Sequence, residues 1–492
     1  MSRSLSHRER KKIFKTGIKS DGTIVGRHFK VICEAGGYVS HGVNISNVGG
    51  ALQAALYSYK NYRYDSLVVY TNLPYGGAWR GVSNLVVHFA GETQLNMNAH
   101  RLSIDPLELR LKNAIKGGEK SAIGSHIGSC GLSECLESVA KKSEWEQKRK
   151  NPKPNRGLGI ACGVHFTGVR FPGAPDADFA GAIIMVNDDG SVNLATSCVE
   201  IGSGTSTVLA QIAAEILGIE PKKINVIFGD TKTCPMGWGS RASRNTAIGG
   251  MAVKLAAEDA GKQILLAAAE KMGIDPDHLD TLDIKNGMLY VKETPTLGMS
   301  ISDVVKFNRY RKNGQAIMAT AHWDAPSRGN ITFAFSFSAK VVEVEVDPRT
   351  GQIGVLNVFA AQDLGKAINP LGAMCQIEGG VYMGLGLGMS EEILLDEIGR
   401  MRNDNFLDYR TLTSMDMPPV SSILVESNDP IGPFGAKGLA EMALFGVPEG
   451  LAAAVYDATG VWIKELPITP EKVLFALKKK SRISLKVEIL LL

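Results

Sequence analysis

The 492-residue chain has almost no excess of one charge sign: 54 Lys and Arg stand against 50 Asp and Glu, a formal net charge of +4. It also has no long basic stripe with interleaved aromatics, so nucleic acid is not an expected partner. None of the seven cysteines (Cys33, Cys130, Cys135, Cys162, Cys198, Cys234 and Cys375) forms a C-x-x-C pair, and their odd number does not suit a disulfide framework. They read as reduced thiols of a cytoplasmic protein. The nine histidines show no H-x-x-x-H spacing, which argues against protein-ligated zinc and, with the missing cysteine pairs, against an iron–sulfur cluster. No run reaches ~18 apolar residues, so no transmembrane helix and no membrane partner are expected. The basic start, Met1 to Lys15, lacks the apolar core of a secretory signal. Neither a G-x-x-x-x-G-K-[ST] motif nor a clean dinucleotide fingerprint is present, which disfavours a plain nucleotide-binding protein.

What the chain does have is glycine, 54 residues of 492, against a usual ~7%. The excess sits in short clusters between apolar runs, as tight loops near a ligand require. Phe29–Cys33 opens a strand-like run and Leu67–Tyr70 a second. The loop Tyr75-Gly76-Gly77-Ala78-Trp79-Arg80-Gly81 follows, then a helical pattern from about Leu85 to His100. A strand, a glycine loop bearing one Arg and a helix together present a cation to an anion, although a surface salt bridge is an equal reading of Arg80. Asp105 before Pro106 marks a capped helix start. Polar residues from Lys141 to Arg156, broken by Pro152 and Pro154, set a domain boundary in or just before that stretch.

Ala182–Val186 and Val192–Leu194 flank Asn187-Asp188-Asp189-Gly190, a hairpin signal. Glu200-Ile201-Gly202-Ser203-Gly204-Thr205 then opens a helix with Val208, Ile212 and Ile216 on one face. Free backbone N–H groups at such a start form an anion site, or the glycines make only a tight turn. Strand Ile224–Phe228 ends at Gly229-Asp230-Thr231. Gly239–Thr246 leads into a helix to about Met272, a second start dense in hydroxyls and guanidinium groups and suited to phosphate; an ordinary Ser/Thr cap with solvated arginines is an equal reading. Val341–Asp347 alternates apolar and acidic residues, a half-exposed strand paired with Ile353–Phe359. Gln376–Gly386 reads as a third glycine-rich helix start. Three such loops in different parts of the chain suit the phosphates of one extended cofactor better than three unrelated sites.

Gly432-Pro433-Phe434-Gly435-Ala436-Lys437-Gly438-Leu439-Ala440-Glu441 is the stretch on which the chemistry is expected to converge, with Leu451–Tyr456 beyond it as a buried helix. Phe434, Leu439, Met442, Leu444 and Phe445 surround Glu441 in sequence. If they surround it in space, desolvation lifts its pKa toward the range of a general base. The alternative is a carboxylate that caps a helix or faces water.

In order along the chain, these pieces resemble the molybdenum-cofactor subunits of the xanthine dehydrogenase and aldehyde oxidase family. The matching pieces are Thr71-Asn72 through Gly81, Asp105-Pro106 through Asn113, Glu200 through Gly204, Gly229-Asp230-Thr231, Ala242-Ser243-Arg244 and Glu343 through Asp347. Further matches are Asp363-Leu364-Gly365 with Ile368-Asn369-Pro370, Gln376 through Gly379, Gly432 through Glu441 and Leu466 through Glu471. Within the family, Tyr75–Arg80 and Gly432–Lys437 look most like 4-hydroxybenzoyl-CoA reductase and its relatives, among them nicotinate dehydrogenase.

The resemblance implies an α+β fold of two large mixed α/β domains, the first incomplete. Residues 1–125 would be the C-terminal part of the first, 126–477 the second and 478–492 an atypical tail. It implies molybdopterin, as its cytosine dinucleotide, holding molybdenum without a direct protein ligand. Glu441 would be the general base, Arg80 and Ala242 would lie against the metal centre, and Lys437 would assist near the base. Gly202, Ser203, Gly204, Ser243, Arg244, Asn245, Thr246 and Gln376 would grip the pterin and its phosphates. The small-molecule substrate would be an aromatic heterocycle, an aldehyde or an aromatic acyl-CoA, hydroxylated or reductively dehydroxylated. [2Fe–2S] clusters and FAD would sit on partner subunits.

The chain departs from the family pattern at two places. Ser203 stands where the family usually has Gln in a G-Q-G turn, so one pterin hydrogen bond would be missing or carried by water. The family's N-terminal segment, which ends in G-G-x-F-G and supplies a Gln near the metal and a Phe against the substrate, has no counterpart here. Either a separate N-terminal-half subunit completes the site, or the chain is a truncated, non-catalytic holder of the cofactor. Carbon monoxide is not an expected substrate, because enzymes of that type carry a Cys in the loop that reads Ala78–Ser83 here.

Overall fold

Runs of β-branched residues bounded by glycine turns become strands, and the small-residue runs between them become helices that cover the sheets. The computed structural model describes residues 11–82, 84–170, 177–311, 314–326 and 331–490, and the side chains of 11, 12, 84 and 481–490 fall outside that description. Most of the basic start, Ser83 and most of the tail beyond Lys478 are therefore outside the described side chains.

Four sheets form among the described residues. The first, ordered β1-β2-β3, holds β1 (Lys11–Ile18), β2 (Ile24–Gly36) and β3 (Asn61–Tyr70). β1 and β2 are antiparallel, whereas β3 runs parallel to β2 after a crossover through helix α1 (Gly42–Gln53). The central sheet, ordered β14-β13-β12-β4, holds β4 (Arg156–Thr167), β12 (Ala334–Val346), β13 (Ile353–Asp363) and β14 (Val420–Val425). A third sheet, ordered β11-β5-β6-β7, holds β5 (Phe179–Val186), β6 (Val192–Thr196), β7 (Ile224–Ile227) and β11 (Met318–Asp324). The fourth is a small meander of β8 (Leu282–Lys285), β9 (Met288–Val291) and β10 (Thr294–Ser300).

The remaining helices are α2 (Asn84–Leu102), α3 (Pro106–Asn113), α4 (Leu132–Ser143), α5 (Trp145–Lys150), α6 (Thr205–Leu217), α7 (Gly250–Met272), α8 (Ile301–Tyr310), α9 (Pro370–Met389), α10 (Val447–Thr459) and α11 (Pro470–Leu490). α6 and α7 bury the third sheet's apolar face in one core. The central sheet is covered on both faces. Phe335, Phe337, Ala339 and Val341 pack with α4 on one side, and Val342, Val344 and Val346 pack with α9 and α10 on the other. The fold is thus mixed α/β. Among the described residues no single helix is long and apolar enough to cross a membrane, and the bent apolar pair Pro433–Leu444 and Val447–Thr459 packs largely inside the protein.

Many expected elements form, including α2, the Asp105-capped α3, the β5–β6 hairpin, α6 and α7. Two do not take the expected form. Val341–Asp347 is not half-exposed, because helices cover both faces of β12. Glu343 is 8% exposed and survives there because its carboxylate accepts from Lys148 Nζ at 2.9 Å and Asn357 Nδ2 at 3.0 Å. Nor is Gln376–Gly386 a helix start. It lies inside α9, whose cap is Asn369, accepting from Gly372 N at 2.8 Å with Pro370 next in line. Its glycines serve packing: a Cβ at Gly380 would collide with Ala443, and one at Gly384 with Val447.

α2 carries one residue with a measurable pH consequence. His88 is fully buried, its ring 5.0 Å from that of Phe445, and neither ring nitrogen has a hydrogen-bond partner. Burial, only partly opposed by Glu92, pushes its pKa down to about 3. The unfolded chain therefore takes up a proton between pH 6.5 and about 3 that the folded chain refuses, so stability falls as pH falls through that window. His88→Phe is expected to remove this loss, leaving the variant about 2 kcal/mol or more ahead of wild type at pH 4 relative to pH 7, at ~1.4 kcal/mol per pH unit. Urea midpoints measured across pH 4–7 check it, and parallel curves for the two proteins would refute it.

Candidate cofactor site

Four of the loops that line the cavity carry its candidate residues. The first carries Arg80 between β3 and α2. Gly81 (φ +84°) and Val82 (φ +47°) bend the chain sharply, and a Cβ on Gly81 would meet the Phe445 ring at 2.7 Å. That close passage aims Arg80 inward. Its Nε donates to the Ala440 carbonyl at 2.8 Å and its Nη2 donates to Ala440 O and, at 3.2 Å, to Gln376 Oε1. One guanidinium thus joins its own loop to the middle of α9 and to the turn bearing Glu441. Burial lowers its pKa, with Glu441 acting in the opposite sense.

The second loop is Ser240–Thr246. Ala242 (φ +48°) and Ser243 (φ +53°) are consecutive non-glycine residues in the left-handed region, a conformation costing roughly 1–2 kcal/mol per residue. Surrounding bonds over-determine it. Gly168 N donates to Ala242 O at 2.8 Å, and Arg244 is fully buried, its Nε on Asp178 Oδ1 at 2.7 Å and its Nη1 on Gly239 O at 3.0 Å. The arginine expected to be solvated or to hold phosphate is committed to Asp178, and it contributes to the cavity wall without a free guanidinium. A π turn, Asn245–Gly249, then feeds α7. Asn245 Nδ2 donates to Ser240 Oγ at 2.7 Å and Thr205 Oγ1 at 3.0 Å, while its Oδ1 is buried without a partner.

The third loop opens α6, and it corrects the reading of a free anion site. Glu200 folds back over its own loop. Its Oε1 accepts from the N–H groups of Ile201, Gly202, Ser203 and Gly204 at 3.1, 2.8, 2.7 and 3.1 Å, and its Oε2 from Ser206 N at 3.0 Å. Burial favours the neutral acid, but these N–H groups outweigh it and hold the Glu200 carboxyl below its ordinary range. The anion that fills the cradle is the protein's own. Ser203 Oγ bonds Thr205 Oγ1 at 2.8 Å.

The fourth loop runs from Gly432 to Glu441. Lys437 is not free to help a base: its fully buried ammonium donates to Asp363 Oδ2 at 2.6 Å. Glu441 lies in a 3-10 turn, Ala440–Leu444. Its N–H donates to Ser243 Oγ at 3.0 Å, and its Oε2 lies 3.3 Å from His165 Nδ1 and 3.5 Å from Ser243 Oγ. Met442, Leu444 and Phe445 are buried while Phe434 is exposed, and the groups in contact with the carboxylate are His165 and Ser243.

Arg80, Gly202–Gly204, Ala242–Thr246, Gln376, Lys437 and Glu441 all line one cavity of about 700 Å³. The structure thus brings together every site residue named from the sequence. Sequence reasoning missed His165, a polar side chain within the largely apolar β4. Arg241, one of the guanidinium groups read as suited to phosphate, lines the cavity 5.3 Å from the Trp238 ring centre. The volume falls within the ~300–1,000 Å³ of cofactor sites. The unpartnered Asn245 Oδ1, the hydroxyls of Ser243 and Thr246, and Arg80 and Arg241 fit a ligand with ring N–H groups and phosphates.

A molybdopterin cofactor-binding domain model matches residues 134–418, and a second of the same description matches residues 1–114. The chain belongs to the molybdenum-cofactor-binding part of the xanthine dehydrogenase and aldehyde oxidoreductase family. It is 36% identical to the xanthine dehydrogenase molybdenum-binding subunit of Escherichia coli O157:H7, over 93% of this chain and 60% of that protein. Among solved structures it is similar to quinoline 2-oxidoreductase from Pseudomonas putida 86, at 26% identity and a TM-score of 0.86, over 95% of this chain and 62% of that one. Its fold also matches reconstituted CO dehydrogenase from Oligotropha carboxidovorans at a TM-score of 0.84 and 22% identity, over 95% of this chain and 61% of that one. The chain spans about three fifths of the length of each of these proteins.

Proposed function

We propose that this chain holds the molybdopterin cofactor of a cytoplasmic oxidoreductase and supplies Glu441 as its general base. The observation that carries the reading is the convergence of Arg80, Ala242–Thr246, Gln376 and Glu441, from remote parts of the sequence, on one cavity. When bound, the molybdenum and pterin supply the two-electron redox chemistry. The chain's own residues position, charge and deprotonate. Asn245 Oδ1 would accept a hydrogen bond from a ring N–H of the pterin, Arg80 and Arg241 would balance negative charge, and Glu441 would take a proton at the cavity wall. Glu200 shapes the Gly202–Gly204 turn beside them without contributing its N–H groups.

The substrate is a small aromatic heterocycle, an aldehyde or an aromatic acyl-CoA, hydroxylated or reductively dehydroxylated, and the narrower likeness to 4-hydroxybenzoyl-CoA reductase or nicotinate dehydrogenase belongs to this proposal. Separate [2Fe–2S] and FAD subunits would receive the electrons. A segment equivalent to the part of the relatives that this chain does not span completes the site. The outer edge of β3 supports that reading: no strand pairs with it among the described residues, and Leu67 and Tyr70 on it are exposed. A second reading, a cofactor holder without turnover, draws on Ser203, whose hydroxyl is bonded to Thr205.

Metal and pterin analysis of the protein purified from its native complex tests the proposal. Stoichiometric molybdenum is expected, with cytidine monophosphate released on acid hydrolysis. A folded complex containing neither metal nor pterin would overturn it, and pterin without the nucleotide would remove the dinucleotide form.

A further inference from the structure

We propose that His165 is a positioning residue for Glu441: it anchors one carboxylate oxygen and leaves the other, Oε1, as the atom that accepts the proton. The proposal rests on reading Glu441 as the base. His165 stands on β4, paired across the central sheet with Ser336, and its side chain is 2% exposed. Its Nδ1 lies 3.0 Å from the Phe166 carbonyl and 3.3 Å from Glu441 Oε2. Both neighbours are acceptors, so Nδ1 carries the hydrogen. Nε2 is buried and has no hydrogen-bond partner. An imidazolium would place a second N–H there with nothing to receive it, so the site suits the neutral Nδ1–H tautomer.

The ring has little freedom to leave this position. It stacks on Phe445 at 5.8 Å and 18°, and Phe445 is itself flanked by His88 at 5.0 Å and held through its carbonyl by Lys340 Nζ at 2.6 Å. On the carboxylate side, Ser243 fixes the Glu441 backbone and lies 3.5 Å from the same Oε2. Oε2 is therefore flanked by two groups, whereas no hydrogen bond to Oε1 forms among the described residues. The charged and titratable groups that bear on Glu441 are Arg80 from the loop before α2, Arg241 from the segment before α7 and His165 from β4. His165 in turn faces His88 of α2. An Nδ1–H 3.3 Å from Oε2 favours the ionised carboxylate electrostatically, and its removal is expected to make the carboxyl easier to protonate.

The experiment uses the complete complex and compares His165→Phe with His165→Gln, which keeps an N–H donor. Both are expected to retain molybdenum and pterin. His165→Phe moves the acid limb of kcat/KM up by about one pH unit and lowers kcat about tenfold with little change in KM, and His165→Gln restores most of both. In cofactor-free protein, infrared difference spectra against Glu441→Gln follow the titration of this carboxyl directly, and its midpoint rises in His165→Phe. An unshifted midpoint together with an unshifted acid limb overturns the proposal. Nitrogen-15 spectra of wild-type protein need no folded variant: a neutral ring protonated at Nδ1 is expected, and protonation at Nε2 overturns the assignment. The base reading fails separately, by normal turnover in Glu441→Gln, while the infrared midpoint still decides whether His165 holds the carboxylate.

Discussion

Glu441→Gln is expected to leave the cofactor bound while lowering turnover of the complete complex about a thousandfold, within the ~10²–10⁴ that a positioned general base contributes. The substitution is nearly isosteric and removes only the proton-accepting carboxylate. The wall around it does not depend on the lost charge. Arg80 donates to the Ala440 carbonyl and to Gln376, not to the Glu441 carboxylate, and Ser243 bonds the Glu441 backbone N–H. The amide oxygen or nitrogen of Gln can occupy the place of Oε2 between His165 and Ser243. Molybdenum and pterin content, substrate Kd and kcat separate the outcomes. Full cofactor with unchanged substrate binding and a collapsed kcat is the signature of a lost proton acceptor. Near-normal kcat with full cofactor would remove Glu441 from that role.

The site was more legible in the sequence than the way its parts are held. Glycine clusters beside single charged residues mark loops that approach a ligand, and the cavity gathers the residues those loops carry. Composition does not say what already fills a loop. The N–H groups of Gly202–Gly204 look free in sequence because nothing local shows Glu200 folding back onto them. Gln376–Gly386 reads as a helix start because interior glycine ordinarily costs helix stability. Here the close approach to Ala443 and Val447 requires it. β12 reads as half-exposed because its acidic residues alternate, and the lysine that receives Glu343 lies 195 residues away. The partners that fix the site are likewise remote: Ser243 meets Glu441 across 198 positions and Asp178 meets Arg244 across 66. Periodicity reports which face of an element is apolar, not which distant side chain completes a charge pair.

Lys437→Met is expected to lose activity by a different route, through stability and cofactor retention rather than proton transfer. Lys437 and Asp363 form a fully buried ion pair at 2.6 Å. Asp363 is also a junction. Its Oδ2 accepts from Gly131 N at 2.8 Å, at the start of α4, and its Oδ1 accepts from Ser427 Oγ at 2.7 Å and Gly365 N at 3.1 Å. Removing the ammonium leaves a carboxylate in the interior with no cation to balance it, a change that costs about 3–5 kcal/mol. Unlike the exposed pairs on this protein, whose individual worth is ~0–1 kcal/mol, this one ties the end of β13 to the segment that carries Glu441. Asp363→Asn leaves the complementary fault, a buried ammonium with no anion to balance it, beside the new amide, Ser129 O at 3.4 Å and the Phe337 ring at 5.7 Å. It is expected to be comparably destabilising. Urea unfolding of Lys437→Met, with molybdenum and pterin analysis of the same preparation, distinguishes this account from a catalytic lysine. A large drop in midpoint with cofactor loss supports the structural role. Unchanged stability and full cofactor with a collapsed kcat would instead return Lys437 to the side of the base, the role the family resemblance implies and its contacts oppose.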